Sequence, residues 1–277
     1  MSSVNTPDWN SFGRINASQK WRKQSAAMGS GMTEAIVAAA EIERGTRVLD
    51  VACGTGEPAI SIATLLHGTG EVIGVDISSA PLEIARRRAK DRGLTNARFE
   101  QADAHQLSFA DDSFDRVTSR LGIMFFADLP NALRQMHRVL KPGGRVTLLA
   151  WGVMAQPYFS STIGTLLRAM PGSDMPEAAR KMFTFGQPGV LPGKLRAAGF
   201  SVVDEKLITV PWTWPGTPQE VWQYFKEVTV PFAPLLQAVP AERRAEVDAA
   251  VIDAIAKYAE GDEVKFTAKV NITSAVK

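Results

Sequence analysis

Residues 48–60 read VLDVACGTGEPAI, an apolar strand candidate that runs into Gly54 and Gly56 and out again into an apolar helix. No other stretch restricts the possible folds as much. A strand that reverses into a helix within a few residues calls for glycine, which tolerates left-handed backbone and lets a ligand come close. Pro58 suits the first turn of the following helix. Gly54, Gly56 and Ala59 also satisfy the pattern G-x-G-x-x-A. Asp76, at the end of the next strand candidate and about 20 residues past Gly56, stands where a ribose-binding carboxylate belongs. A glycine turn also has a purely structural explanation, and this motif alone leaves both readings open.

The order of elements narrows the fold class. From Arg47 onward, strand and helix candidates alternate as RVLDVA, PAISIATLL, EVIGVDI, PLEIARRRAK and ARFEQAD, followed by FDRVTSRL, LPNALRQMHRVL and RVTLLAW. Such alternation implies parallel strands joined by crossover helices. Lys141, Pro142, Gly143 and Gly144 mark the end of one helix. Beyond Trp151, frequent Pro and Gly predict helices and loops inserted before the strand SVVDEKLITV. Residues 212–260 read as largely helical and rich in aromatics, and EVKFTAKVNIT alternates like a last strand. Residues 1–44 carry Trp21, Met28, Met32, Ile36 and Val37 at a spacing that suits helices, a helical preface. The expected organisation is therefore 1–44 as preface, 45–151 as a cofactor-binding core, and 152–277 completing the sheet with a helical lid, all within one catalytic domain.

Composition excludes several classes. The chain has 277 residues, and Lys+Arg of 31 against Asp+Glu of 29 gives a formal charge of +2, too balanced for a phosphate-neutralising surface. Nucleic acid is not an expected partner; a small molecule is. The N-terminal residues lack the charged and apolar blocks of a leader, and no apolar run is long enough to cross a bilayer, so a cytoplasmic location is expected. The single Cys53 excludes an internal disulfide, and His67, His105 and His137 show no ligand spacing, so no metal is expected. Arg86, Arg87, Arg88 and Lys90 read as a solvated helix face. Oligomeric state is left open.

Asp50 bears on the cofactor. A carboxylate within or at the end of the first strand repels a pyrophosphate but attracts an amino group. S-adenosylmethionine, with its sulfonium and α-ammonium, tolerates that charge. VLDVACGTG, VIGVDIS, FEQADAHQLSF and the run FDRVTSRLGIMFF…RVLKPGG then appear in order over roughly residues 40–151. Together they resemble the motifs of class I S-adenosylmethionine-dependent methyltransferases, especially the ubiquinone/menaquinone-type small-molecule branch (methyltransferase type 11 domain).

The resemblance implies an α/β fold: a Rossmann-like, doubly wound, seven-stranded sheet with its last strand antiparallel, plus N-terminal helices and an inserted helical lid. Carried over by position, it has Asp50, Ala52, Gly54 and Gly56 line the methionine and ribose portions of the cofactor. Asp76 binds the ribose hydroxyls and Ile77 packs on adenine. Asp103 accepts from the adenine amino group, and Ala104 offers its backbone amide. Arg120 supplies a backbone carbonyl to the α-ammonium, although its long side chain departs from the family pattern. Trp21 is placed over the methionine end.

Met124, Phe125, Phe126, Trp151, Phe159, Trp212, Trp222 and Phe225 form the expected apolar acceptor pocket, each with core packing as the plainer alternative. Methyl transfer by in-line displacement needs alignment and exclusion of water more than a base. If a base serves C- or O-methylation, the candidates are His105, Tyr224, Glu220 and Glu227. Two rival readings stand beside this one. An NAD(P)-dependent oxidoreductase shares the glycine turn, but no tyrosine is followed four residues later by lysine. A non-methylating S-adenosylmethionine-binding relative is the other.

Overall fold

The computed structural model describes Trp9 and residues 11–277, so the start of the helical preface lies outside the described residues. Helices α1 (Phe12–Lys20), α2 (Arg22–Met28) and α3 (Ser30–Ala39) precede β1 (Arg47–Val51). Then come α4 (Ala59–Leu65), β2 (Glu71–Asp76), α5 (Ser79–Asp91), β3 (Ala97–Gln101), β4 (Phe114–Arg120), α6 (Leu129–Val139) and β5 (Leu140–Trp151). Four helices follow: α7 (Pro157–Ser161), α8 (Ile163–Ala169), α9 (Glu177–Lys181) and α10 (Val190–Ala197). The chain closes with β6 (Ser201–Pro215), α11 (Pro218–Val228), α12 (Ala233–Gln237), α13 (Arg244–Ala256), β7 (Ala259–Glu260) and β8 (Glu263–Val276).

These elements form two compact units. The sheet unit comprises residues 32–151, 185–208 and 270–277; the helical unit comprises the described residues up to Gly31 with 152–184 and 209–269. The strand order is β3-β2-β1-β4-β5-β8-β6. β1 to β5 pair in parallel, with Asp50 opposite Gly74 on one side and Thr118 on the other. β8 runs antiparallel to β5, Trp151 opposite Val270 and Arg145 opposite Val276. β7 adds a short antiparallel pair with the start of β8. This is the doubly wound sheet with its final strand reversed.

Residue chemistry explains the layers. In β1, Val48, Leu49, Asp50 and Val51 are all buried, as expected of a parallel strand covered on both faces. α4 packs Ile60, Ile62 and Ala63 against Val48, Val72 and Phe99. Gly74 makes that closeness feasible, since a Cβ there would stand 2.7 Å from the Phe99 ring and 2.9 Å from Cys53 Sγ. α6 starts where Asp128 accepts the Asn131 N–H at 3.0 Å, a side-chain N-cap. It ends at Val139, and the Lys-Pro-Gly-Gly stop lies within β5, with an irregular register between Phe114 and Arg116.

One expectation is corrected. Residues 212–215 are strand, not helix, so Trp212 and Trp214 belong to β6. Val210, Trp212 and Trp214 alternate with Pro211 and Thr213, and aromatic and β-branched side chains suit a pleated, half-buried surface.

The helical unit is built on aromatic packing. Tyr158 meets Phe159, Trp212, Phe225 and Phe266 with ring centroids 5.2–6.0 Å apart. Trp222 stacks on Phe225 at 5.4 Å, and Phe225 lies 5.4 Å from Phe232. Among the described residues no helix is long and apolar enough to cross a membrane, and no cluster of His, Cys, Asp and Glu is arranged to hold a metal ion.

Candidate cofactor site

Within the sheet unit, the C-terminal ends of β1, β2, β3 and β4 bring Asp50, Ala52, Gly54, Gly56, Asp76, Ile77, Asp103, Ala104 and Arg120 to one edge. This follows from parallel pairing, which aligns every strand's exit on the same side. Trp21 belongs to the helical unit.

The glycine turn is held by side chains from three elements. Asp76 Oδ2 accepts the Gly54 N–H at 2.9 Å, and its Oδ1 accepts the Ser78 N–H at 2.9 Å. Gly54 has φ +54 and Gly56 φ +105; at Gly56 a Cβ would meet Ile60 Cδ1 at 2.6 Å, so a larger residue is strained there by conformation and has to displace the Ile60 side chain. Ala52 and Leu121, at the ends of β1 and β4, both take φ +59. A Cβ on Gly122 would stand 2.5 Å from the Ala52 Cβ, so the two strand exits abut. Left-handed backbone at residues with side chains is costly and gathers at functional sites. Ile77 is 60% exposed beside Asp76, an apolar platform of the kind on which a flat heterocycle packs.

Asp50 is wholly buried. It accepts from Thr118 Oγ1 at 2.8 Å and from the Ala59 N–H at the start of α4 at 3.2 Å. Burial pushes its carboxyl up to about 7, against the lowering pull of those hydrogen bonds and of the Arg120 charge. The carboxyl is thus only partly ionised near neutrality, and its repulsion of a pyrophosphate is weaker than a full charge would give. Arg120 directs Nη1 to Thr33 Oγ1 at 3.0 Å on α3. The long side chain that departs from the family pattern is therefore accommodated by turning toward α3 while still biasing Asp50.

Arg88 was not legible as part of this site. Its Nη1 donates to the Thr55 carbonyl at 2.6 Å and its Nη2 to Glu57 Oε1 at 2.8 Å, so it grips the glycine turn from α5. The solvated-face reading is corrected for this residue: the Arg88 side chain is only 12% exposed and Glu57 15%. Removing one partner of such a pair strands the other. Arg88→Ala is expected to lower the unfolding free energy by about 2 kcal/mol, seen as a lower urea midpoint. An unchanged midpoint would mean that the grip contributes nothing.

Asp103 leaves β3 with His105 folded back on it. Burial alone raises the Asp103 carboxyl, but the backbone and ring hydrogen bonds from His105 outweigh it and hold it below its ordinary value. Ala104 is buried beside it. Met124 and Trp151 are nearly buried, and Phe125 and Phe126 half-buried, after β4 and at the end of β5.

The other candidates lie in the helical unit. Phe159, Trp222 and Phe225 are buried in the aromatic core, and Trp212 is half-buried against Tyr158. Trp222 donates to Asp248 at 2.6 Å. Trp21 donates to Glu227 and packs 5.4 Å from Trp214, which lies 4.8 Å from Tyr224. Burial raises the Glu227 carboxyl, but donors from Gln223, Lys20 and Trp21 outweigh it and lower it, which makes a weaker base. Glu220 closes a capping box: it accepts the Thr217 N–H at 2.8 Å, while its own N–H donates to Thr217 Oγ1 at 3.3 Å.

Comparison with known proteins gives the family and the fold. The sequence model of the ubiE/COQ5 methyltransferase family matches residues 20–187. A demethylmenaquinone methyltransferase of Thermus thermophilus is 38% identical over 174 residues, covering 58% of this chain and 77% of that protein. The ubiquinone/menaquinone biosynthesis C-methyltransferase UbiE of Azotobacter vinelandii is 45% identical over 109 residues, covering 39% of this chain and 43% of its own length. The match thus spans less than half of the latter relative. Among solved structures, phosphoethanolamine N-methyltransferase 2 of Haemonchus contortus, in complex with S-adenosylhomocysteine, superposes with a TM-score of 0.58 at 20% identity. It covers 96% of this chain and 60% of that one, a likeness of fold.

Proposed function

The chain belongs to the ubiE/COQ5 methyltransferase family, and on that premise we propose that it transfers a methyl group from S-adenosylmethionine to a small, largely apolar or aromatic acceptor. The observation that carries this reading is the family match over residues 20–187, which takes in the glycine turn, Asp76 and Asp103 together. The oxidoreductase alternative is not favoured.

The residues present fit the cofactor. The left-handed turn at Gly54 and Gly56 leaves backbone where a side chain would intrude, and Asp76 presents a carboxylate at a strand end beside the exposed Ile77. Asp76 would hold the ribose hydroxyls, Asp103 and Ala104 the adenine edge, and Asp50 with the Arg120 carbonyl the α-ammonium. When bound, S-adenosylmethionine supplies an electrophilic methyl on a cationic sulfur. The protein's own part is alignment and exclusion of water. We assign Met124, Phe125, Phe126 and Trp151 to the acceptor's apolar surface. Phe159, Trp222 and Phe225 maintain the helical unit's core.

A dedicated base is optional, because an acceptor that arrives already ionised as a phenolate or enolate brings its own electron pair to the methyl group. Of the four candidates, Glu220 caps a helix and Glu227 is held by cationic and neutral donors, so neither is assigned the step. A quinone-type ring in its reduced form, after the demethylmenaquinone and ubiquinone/menaquinone named for the Thermus and Azotobacter relatives, is the first acceptor class to try, and carbon the first atom. A cytoplasmic location and action as one catalytic domain belong to the same proposal. Incubation with labelled S-adenosylmethionine and a panel of hydroquinones, catechols and phenols is expected to yield labelled product extractable into organic solvent. Cofactor binding without turnover across the panel would instead favour the non-methylating relative.

A further inference from the structure

His105 makes a chain of contacts that the methyl-transfer reading does not use. Its backbone N–H donates to Asp103 Oδ1 at 2.9 Å, and its ring Nδ1 lies 2.5 Å from the same oxygen. Its other ring nitrogen, Nε2, accepts the N–H of Asp128 at 3.1 Å. Its carbonyl accepts from Asn131 Nδ2 at 3.0 Å, and its ring meets Phe126 edge-on with centroids 6.0 Å apart.

The partners decide the tautomer. A backbone N–H can only donate, so Nε2 must carry a lone pair and the proton must sit on Nδ1. That proton then points at Asp103 Oδ1. Both His105 donors therefore converge on one carboxylate oxygen, while Asp103 remains 46% exposed, leaving Oδ2 to an outside donor. The far side of the ring is fixed to Asp128, the N-cap of α6, so the carboxylate's orientation is set by the loop that carries Met124, Phe125 and Phe126.

We infer that His105 is a positioning residue that holds Asp103 with a single oxygen presented to a purine amino group, and so sets selection for a 6-amino over a 6-oxo purine in the cofactor. This rests on the proposed role of Asp103 at the adenine edge. A 6-oxo purine offers an acceptor where the 6-amino purine offers a donor, and an acceptor facing a fixed carboxylate oxygen is left unpaired and repelled. Without the ring the carboxylate keeps only the backbone N–H on Oδ1, its orientation is less fixed, and the selection weakens.

The test measures dissociation constants of S-adenosylhomocysteine and S-inosylhomocysteine by calorimetry for the wild type, Asp103→Ala, His105→Ala and His105→Asn. His105→Ala is expected to weaken S-adenosylhomocysteine about tenfold and S-inosylhomocysteine by less than about twofold, collapsing the preference. His105→Asn keeps a donor near the Nδ1 position and is expected to restore most of it. Equal weakening of both ligands by His105→Ala, or no change, overturns the inference. If Asp103→Ala abolishes the preference while His105→Ala keeps it, the Asp103 reading stands and His105 is only structural. If Asp103→Ala leaves the preference intact, the adenine-edge reading itself fails and the inference falls with it. Thermal melting of each variant separates loss of fold from loss of selection, and His105→Asn supplies the answer should His105→Ala unfold.

Discussion

Calorimetric titration of Asp76→Ala with S-adenosylhomocysteine is expected to show affinity at least about 100-fold below that of the wild type. A carboxylate that accepts two vicinal ribose hydroxyls makes two hydrogen bonds to a charged acceptor, each worth about 1.5–3 kcal/mol, and every 1.4 kcal/mol is about tenfold in affinity. The substitution also removes the acceptor of the Gly54 N–H, so the turn loses a support at the same moment. Asp76→Asn separates the two effects. Its amide oxygen still receives the Gly54 N–H, while its nitrogen accepts neither from a ribose hydroxyl nor from the Ser78 N–H, and an intermediate loss of about tenfold is expected. Binding by Asp76→Ala within about threefold of wild type would remove this residue from the cofactor site.

The second large effect concerns Asp50 and pH. Its carboxyl is raised from 3.8 to about 7 by burial, so the folded chain holds this proton more tightly than the unfolded chain does. Below about pH 4 both states carry the proton, and the group does not influence stability. Between about 4 and 7 the unfolded chain has released it and the folded chain has not, so stability falls as pH rises. Above about 7 the cost is complete, up to about 4 kcal/mol. Asp50→Asn removes that titration and keeps groups able to meet Thr118 and Ala59. The unfolding free energy of the ligand-free wild type is therefore expected to fall relative to Asp50→Asn as pH goes from 4.5 to 8. Cofactor affinity runs the other way. An α-ammonium prefers the ionised carboxyl, so binding to the wild type tightens from pH 6 to 8, while Asp50→Asn binds weakly and without that dependence. Parallel stability curves for the two proteins would show that Asp50 does not titrate in this range.

Much of the sheet was legible because parallel strands buried on both faces leave short continuous apolar runs, as in residues 72–75, punctuated by glycine. Tertiary placement of charged and aromatic side chains was not. Arg88 sits in a basic run, yet it continues the helical stripe through Pro81 and Ala85, and both of these are buried. That i, i+4, i+7 spacing was the available sign that one arginine of the run faced inward. Glu220 shows the converse. Thr217-Pro-Gln-Glu220 before an apolar run is a capping signature, and that explanation of the glutamate was present in the sequence alone. Trp212 and Trp214 were placed in helix because aromatic density says nothing of periodicity; their alternation with Pro211 and Thr213 did. The tautomer of His105 had no trace in sequence, since it depends on the Asp128 N–H arriving from a segment 23 residues away.

The glycine turn is fastened from outside itself: Asp76 holds Gly54, Asp50 receives Ala59, and Arg88 holds Thr55 and Glu57. A loop tied in this way behaves as a mould cast in advance. Little freedom remains to be lost there when a nucleoside arrives, so association meets no slow ordering step at this turn. Analogues that alter the sugar or its linkage will then be sorted by how quickly they leave, with arrival rates nearly uniform across the series.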